Sequence, residues 1–308
     1  MTTFLAACVV ASIPLLFATV GELITEKAGN TNLGVEGMML MGAVMAFITS
    51  YNTGSALLTV IVAVVAGAVG AFLYAFLTIS LRANQIVTGL TLTIFGTGFA
   101  KFVGQPYLGK GVPASVTAVF VKKPIPLLSD IPGFGKIFFN QDIFVYFAYV
   151  ICIGFAIYMY RTRMGVNLKA VGENTAAADA SGINVMLYKY VHVLIGGALC
   201  GLGGAYLSVV RVPLWQEDIV NGRGWIAVAL VIFVAWNPIK AFVGSILFGG
   251  LSILGMQLQV MGVSFSQYIF DMVPYLCTIL IVIFSTSSKR KEGQAPADLS
   301  NNYFREER

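Results

Sequence analysis

The sequence predicts an all-α fold, a polytopic bundle of transmembrane helices, and three observations lead to this prediction. Of the 308 residues, 57% are hydrophobic and only 11% are charged, whereas soluble domains carry roughly 25% charged residues. The mean hydropathy is +0.83. The apolar residues also form long continuous runs with the length of a helical membrane span, without the alternation of a membrane barrel. The chain is therefore predicted to be an integral membrane protein.

Nine apolar segments follow one another along the chain, and we interpret them as about nine spans: 4–20, 36–49, 54–81, 86–103, 143–160, 189–210, 225–236, 239–257 and 267–285. The segments 36–49 and 225–236 are too short to cross a hydrocarbon core of about 30 Å as straight helices. Each follows a glycine-containing polar stretch, named here the first approach (30–37) and the second approach (221–225). Because the two run in opposite directions, they predict short broken helices and an inverted repeat around a site near the membrane midplane.

The placement of basic residues predicts the orientation. Lys289, Arg290 and Lys291 follow the last segment, so the positive-inside bias puts the C-terminus in the cytoplasm and the N-terminus outside. Residues 1–290 then form the membrane domain and residues 291–308 a cytoplasmic tail, which we expect to be frayed. A loop at about 161–188 faces the cytoplasm, and a Pro-rich loop at about 104–142 faces outward. Prolines exclude a long regular helix there, which predicts a cap of short elements.

Stripes of small residues predict where helices approach closely. Three such stripes repeat every four residues: Ala63, Gly67 and Ala71; Gly197 and Gly201; Ala241, Ser245 and Gly249. They are general to helical membrane proteins and indicate packing rather than substrate.

Polar residues near the approaches are candidates for a substrate pathway: Asn32, Glu36, Asn84, Gln85, Arg223 and Trp225. An ionisable group inside a membrane marks a functional site by default. The amides can hydrogen-bond and the indole can stack on a flat ligand, which suits a neutral substrate with hydroxyl groups or amide edges. The alternative is that Glu36 and Arg223 are solvated at the interface and Trp225 belongs to an aromatic belt.

Several chemistries have no motif in this sequence. It contains no P-loop, no His-Glu-x-x-His zinc motif and no Gly-x-Ser-x-Gly elbow, so we expect neither an enzyme nor a bound cofactor or metal. Only Glu36 and Asp271 qualify as buried carboxylates, fewer than an ion-driven carrier usually needs. The net charge of +5 lies in loops and does not indicate nucleic-acid binding.

A polar, Ala-rich stretch within the cytoplasmic loop, residues 172–185, offers a docking point for a separate motor subunit. Alanines at 176–178 and 180 favour a short helix, and Gly182 can end it in a left-handed conformation. Small side chains also allow close docking.

Four segments in order resemble the permease subunits of bacterial ABC importers: Asn32–Leu40, Arg82–Val87, Gly172–Val185 and Gly222–Ala227. The resemblance is to the ribose, branched-chain amino-acid and nucleoside branch, and within it to the nucleoside or simple-sugar type. It implies a coupling helix that docks on an ATPase subunit through Glu173, Asn174, Ala177, Gly182 and Ile183. It also implies a second permease subunit, often a different and longer chain, and an external substrate-binding protein. ATP and Mg would be bound by the ATPase subunit. The permease itself would lie in the bacterial cytoplasmic membrane.

The resemblance thus predicts an ATP-driven importer of a nucleoside or related simple sugar. Three alternatives stay open: the same architecture with a sugar or amino-acid cargo, an ion-coupled secondary transporter, and a membrane enzyme that acts on lipid-linked substrates.

Overall fold

A computed structural model describes residues 2–260, the positions 269, 272–273, 275–277, 279–280 and 283, and residues 294–306. The α-helices of these residues are α1 (Thr2–Lys27), α2 (Val35–Thr53), α3 (Ala56–Ala75), α4 (Gln85–Gly104), α5 (Ala114–Thr117), α6 (Phe134–Phe138), α7 (Ile143–Arg161), α8 (Arg163–Glu173), α9 (Thr175–Ala180), α10 (Val185–Ala205), α11 (Arg223–Phe233) and α12 (Pro238–Val260). Short π-helical turns extend α3 over Phe76–Ser80 and α10 over Tyr206–Arg211.

Six of these helices are long and apolar enough to cross a membrane: α1, α3, α4, α7, α10 and α12, counted with their extensions. Each of the first eight predicted segments coincides with a helix. The ninth, 267–285, lies largely outside the described residues, as do Asp271 and the basic residues 289–291. The helical membrane fold is confirmed, while the number of nine spans stays a prediction.

The two segments predicted to be short differ in the structure. Helix α11 has 11 residues and is indeed short. Helix α2 has 19 residues and continues to Thr53, so its predicted end at residue 49 was wrong. The polar residues there bond back into the helix: Ser50 Oγ donates to Phe47 O at 2.7 Å, and Thr53 Oγ1 to Thr49 O at 2.7 Å.

Helices α1 and α10 form the centre of the bundle. In their most apolar stretches 67% and 78% of residues are buried, against 28% in α3 and in α4. Helices α2 and α3 pack on α10 through glycines. A Cβ atom on Gly67 would lie 2.1 Å from the carbonyl oxygen of Gly197, and one on Gly42 would lie 2.3 Å from Gly201 Cα. The predicted close packing of the small-residue stripes is confirmed.

The third stripe joins α12 to α1. Ala241 and Ser245 are fully buried, and a Cβ atom on Gly249 would lie 2.7 Å from the backbone nitrogen of Ser12. This contact closes the bundle around α1.

The Pro-rich loop folds into short elements, as predicted. It holds the 3₁₀ turns Gln105–Tyr107 and Ala118–Phe120, the helices α5 and α6, and a two-stranded antiparallel sheet of β1 (Lys123–Pro124) and β2 (Asn140–Gln141). We call residues 104–142 the outer cap.

Candidate functional site

The first and second approaches meet at the carboxylate of Glu36. The backbone N–H of Gly222 donates to Glu36 Oε1 at 2.8 Å, and that of Gly224 donates to Oε2 at 2.6 Å. The first N–H groups of a helix have no partner within it and carry partial positive charge. Glu36, which is 8% exposed, therefore caps the N-terminus of α11 and joins it to the start of α2.

This junction depends on glycine. A Cβ atom on Gly224 would lie 2.5 Å from the backbone nitrogen of Glu36. The preceding turn has two left-handed residues, Asn221 at φ +49° and Gly222 at φ +77°. Backbone geometry thus brings the two approaches into contact.

The other two predicted residues of the second approach, Arg223 and Trp225, stay beside this turn. The guanidinium of Arg223 donates to Val220 O at 2.9 Å and to Ile219 O at 3.4 Å, so it folds back on its own turn. The ring of Trp225 is half-buried. A stacking role and a belt role for Trp225 both stay predictions.

The junction lies well inside the bundle. Gly37 packs on α4, where a Cβ atom on it would lie 2.5 Å from Leu92 O. Leu92 is seven residues beyond the start of α4 at Gln85, about 10 Å along the helix axis. Glu36 is therefore buried between helices rather than solvated, while its depth in the membrane stays a prediction.

Two buried carboxylates of α1 were not predicted, since the sequence analysis named only Glu36 and Asp271. Glu22 is fully buried and Glu26 is 3% exposed. Both belong to α1, which continues to Lys27, whereas the sequence reading ended the first span at residue 20. The signal was present in the sequence: the carboxylates stand four residues apart, the spacing of one helix face, with Leu23 and Ile24 between them.

These carboxylates join α1 to its neighbours. Glu22 Oε1 accepts the backbone N–H of Asn32 at 3.0 Å. The carboxylate of Glu26 accepts the indole N–H of Trp236, just beyond α11. The side-chain oxygen of Asn32 accepts the N–H of Gly34 at 2.9 Å. Asn32 is therefore part of the buried framework of the first approach.

The remaining predicted pathway residues, Asn84 and Gln85, lie at the start of α4. Asn84 caps that helix by accepting the N–H of Val87 at 3.0 Å. Gln85 Oε1 accepts the N–H of Thr31 at 2.8 Å, and its amide donates to Asn302 Oδ1 at 3.0 Å. These two residues belong to contacts between helix ends and the C-terminal segment.

The short helix predicted in the polar stretch 172–185 is confirmed as α9. Asn174 caps it, because its side-chain oxygen accepts the N–H of Ala177 at 2.9 Å. Gly182 follows the helix at φ +83°, as expected. Glu173, Asn174, Ala177 and Gly182 are exposed, whereas Ile183 is half-buried against a small cluster that includes Ala178. We call residues 161–188 the inner loop.

The C-terminal segment 294–306, here the strap, lies against the inner loop, whereas a frayed tail was expected. Asp298 Oδ2 accepts the N–H of Thr175 at 2.6 Å, and the backbone N–H of Ala297 donates to Glu173 Oε2 at 3.3 Å. Further along, Asp179 accepts the hydroxyl hydrogen of Tyr303 at 2.6 Å and pairs with Arg305 Nε at 3.1 Å. Specific polar contacts thus order this segment.

The strap also reaches the loop between α3 and α4. The amide of Asn302 donates to Arg82 O at 2.8 Å and to Ala83 O at 3.2 Å. The guanidinium of Arg82 lies over the ring of Phe304, 3.8 Å from its centroid. Arg82 has φ +56°, an uncommon conformation for a residue other than glycine. The strap therefore ties the inner loop to the start of α4.

The outer cap occupies the other end of the bundle. Ser115 Oγ donates to Gly54 O at 3.1 Å, just beyond α2. The backbone of 109–112 pairs with that of 213–215 after α10. Both ends of the bundle thus carry ordered loop structure, the outer cap at one end and the inner loop with the strap at the other, and the junction at Glu36 lies between them.

Comparison with known proteins gives a consistent result. The family described as "Branched-chain amino acid transport system / permease component" matches residues 4–282. A putative glucose ABC transporter permease protein, TsgC13 of Haloferax volcanii, is 36% identical over 98% of this chain and 97% of its own. The nucleoside ABC transporter permease protein NupC of Lactococcus lactis is 34% identical over 88% of each chain. The guanosine ABC transporter permease protein NupQ of Bacillus subtilis is 33% identical over 91% of each. No solved structure matches at a significant level.

Proposed function

The chain belongs to the family of branched-chain amino acid transport permease components, and we propose that it lines the translocation pathway of an ATP-driven nucleoside importer. The cargo follows from two relatives that are named nucleoside and guanosine permeases. A neutral, flat substrate with hydroxyl groups also suits the amide and indole side chains predicted for the pathway. The relative named a glucose permease makes a simple sugar the second candidate.

The observation that carries the coupling to ATP is the exposed helix α9. Ala176, Ala177 and Ala180 are exposed on it, and small side chains leave its backbone open to close docking. We assign Glu173, Asn174, Ala177, Gly182 and Ile183 to the surface that contacts an ATPase subunit. That subunit would bind ATP and Mg, and no cofactor is proposed for this chain.

The contacts suggest how a movement of α9 would reach the pathway. The strap joins the inner loop to Gln85 at the start of α4. Helix α4 packs on Gly37, next to Glu36. Glu36 in turn holds the first turn of α11. We propose that closure of the ATPase subunits shifts these elements together and switches the cavity at the approaches between outward-facing and inward-facing states.

We further propose that the chain crosses the bacterial cytoplasmic membrane about nine times and contains an inverted repeat. The N-terminus would lie outside and the C-terminus in the cytoplasm. Helix α2 leads from Glu36 to Gly54 beside the outer cap. Helix α11 leads from Glu36 in the opposite direction, toward Trp236 and Glu26. Helices that start at one buried point and run in opposite directions are typical of inverted repeats.

The outer cap is then a docking surface for an external substrate-binding protein. The lipid bilayer and a second, longer permease subunit would cover the apolar faces of α3 and α4, where Ile94 is 74% and Phe102 is 81% exposed. No nucleic-acid partner is proposed.

The test is uptake by the complete transporter in proteoliposomes. One arm uses labelled guanosine and the other uses labelled glucose. We expect Ala177→Glu to lower ATP-driven guanosine uptake by at least about tenfold, a loss of about 1.4 kcal/mol of coupling. The matched control is Ala114→Glu, the same change on an exposed alanine of the short helix α5 at the other end. Because the outer cap is itself a proposed docking surface, this control is measured without the substrate-binding protein, where it should leave ATP hydrolysis by the complex intact.

Each failure has its own meaning. Glucose uptake without guanosine uptake would replace the nucleoside by the sugar cargo. Uptake that persists without ATP and collapses with the ion gradient would favour a secondary transporter. Unchanged uptake in the Ala177→Glu variant would show that α9 is not part of the surface that contacts the ATPase subunit.

A further inference from the structure

A cavity of about 430 Å³ opens between the strap, the start of α10 and the loop between α3 and α4. This volume is within the range of small-molecule sites, roughly 300–1,000 Å³. Amide side chains contribute to its wall: Asn30, Gln85, Asn184 and Asn302. The cavity lies next to the strap and is distinct from the junction at Glu36.

The most informative side chain in its wall is Lys189. It is only 3% exposed, yet among the described residues its ammonium makes no hydrogen bond and no ion pair within 4.0 Å. Asp298 acts on it electrostatically from beyond that distance and already accepts the N–H of Thr175. A buried cation without a close partner is costly, so this ammonium is suited to a ligand of negative charge.

Two arginines add to the positive charge of the cavity. Arg82 is held by its stacking on Phe304, and Arg305 by its ion pair with Asp179. The lining therefore carries three cationic side chains and one carboxylate. Guanidinium groups bind phosphate oxygens through paired hydrogen bonds, which favours phosphate over a smaller anion.

The N-terminus of α10 faces the same space. This helix has 21 residues, its cap residue is Asn184, and its first residues Val185 and Met186 line the cavity. The positive end of a helix favours an anion. Lys189 stands one turn further along, so helix end and ammonium act on one ligand.

One more buried group indicates what the anion carries. The side-chain oxygen of Asn30 is buried and accepts no hydrogen bond from the described residues. An acceptor without a donor suits a ligand hydroxyl. This oxygen has no surface open to the cavity, so a ligand hydroxyl would reach it only after a small movement of the wall. A ligand with a phosphate and a neighbouring hydroxyl would then satisfy both Lys189 and Asn30.

We propose that this cavity binds a hydroxyl-bearing organic phosphate, either a soluble nucleoside monophosphate or the glycerophosphate headgroup of an anionic lipid. The phosphate lies between Lys189 of α10, Arg82 of the loop and Arg305 of the strap. Its binding holds the strap against the inner loop. All residues of this site belong to this chain, and it is distinct from the cargo pathway. Gly182 and Ile183, which we assign to the ATPase-facing surface, also line one side of it.

The test is the thermal stability of the purified full chain in nanodiscs. In neutral phosphatidylcholine nanodiscs, adenosine monophosphate should raise the melting temperature in a saturable manner, whereas adenosine should not. In nanodiscs that contain phosphatidylglycerol, the chain should already be stabilised and the added nucleotide should have less effect if the lipid headgroup is the natural ligand. Either arm supports the proposal and identifies the source of the phosphate.

Two variants locate the site. Lys189→Met should weaken binding by about tenfold, the value of one charge-assisted hydrogen bond, while Lys169→Met on α8 should bind as the unchanged chain does. Arg305→Met on the exposed strap should weaken binding severalfold and cannot disturb the core, since the side chain is 74% exposed. The absence of stabilisation by both the nucleotide and the lipid would overturn the proposal. An equal effect of Lys169→Met would also overturn it.

Discussion

The outer cap and the inner loop both present short helices beyond the membrane bundle, but they are held in different ways. In the outer cap the backbone itself is paired. Val112 N–H donates to Pro213 O at 3.0 Å, and Trp215 N–H donates to Lys110 O at 3.0 Å. Trp215 is 2% exposed and anchors this pairing in the core.

The inner loop buries Leu168 and Val171 in the bundle. Its helix α9 is held by a segment far away in the sequence, through one backbone bond from Asp298 N–H to Gly172 O at 3.0 Å and otherwise through side chains. Asp298, Tyr303 and Arg305 of the strap supply the contacts to Thr175 and Asp179. Such polar contacts at a surface are individually weak and can be exchanged for those of a partner. The comparison indicates a fixed outer end and a more readily released inner end, which suits the proposed docking of an ATPase subunit at the inner end.

The largest effect is expected from Trp215→Ala, which breaks the fixed end. Truncation of a buried aromatic side chain costs about 3–5 kcal/mol, and here it also removes the contact with Phe47, whose ring centroid lies 5.8 Å away. The melting temperature of the purified chain should fall strongly. Hydrogen exchange in 104–142 should rise while that of the strap stays unchanged. Equal loosening of both ends would contradict their independence.

A smaller effect is expected from Asp298→Ala, which releases the inner end. The N–H of Thr175 would lose its acceptor. Because Thr175 is only 2% exposed, water cannot readily replace that acceptor, and the loss should cost about 1–3 kcal/mol. Hydrogen exchange should increase in the strap and in α9, with little change in the melting temperature. The matched control is Asp130→Ala, which removes an exposed carboxylate from the outer cap. If the control loosened the strap as much, Asp298 would not be its anchor.

The sequence was informative where a feature is local. The alanines of α9 and the left-handed Gly182 act within a few residues of their own position, and the structure confirms them. The small-residue stripes are recognised from a local spacing, and the structure confirms their close packing although the contacting helices are far apart in the sequence. Glu22 and Glu26 were missed because the polar end of α1 looks like a loop when its buried neighbours are unknown. The strap could not be predicted at all, since Asn302 bonds to a carbonyl 220 residues away and no local pattern encodes such a contact.

The same comparison can be made with two tyrosines. Tyr303→Phe removes the hydrogen bond to Asp179 but leaves the ion pair of Asp179 with Arg305, so the strap should weaken by about 0.5–1.5 kcal/mol. Tyr146→Phe in α7 removes two bonds of the outer cap, one donated to Lys123 O at 2.8 Å and one accepted from Gln141 N–H at 3.0 Å. Proteolysis within the strap should speed up only in the first variant, and cleavage in the cap only in the second. A reversed pattern would show that the two ends are not separately held.

The smallest effect is expected from the pH dependence of the outer cap. Burial raises the pKa of Asp142 above its ordinary range, and hydrogen bonds from Val145 N–H and the hydroxyl of Tyr206 partly offset this rise. The folded state therefore binds this proton more tightly than the unfolded state does. The resulting stability is fully present below the unfolded pKa of about 3.9 and is lost as the pH rises through the higher folded-state pKa.

Asp142→Asn tests this sign, because the amide keeps the shape of the side chain and does not titrate. The melting temperature of the unchanged chain should decline slightly as the pH rises above about 4, and the variant should lack this part of the decline. Exchange in the outer cap should follow the same trend, while exchange in the strap should not depend on Asp142 at all. If the variant kept the full decline, the pH dependence of the melting temperature would come from other groups and not from Asp142.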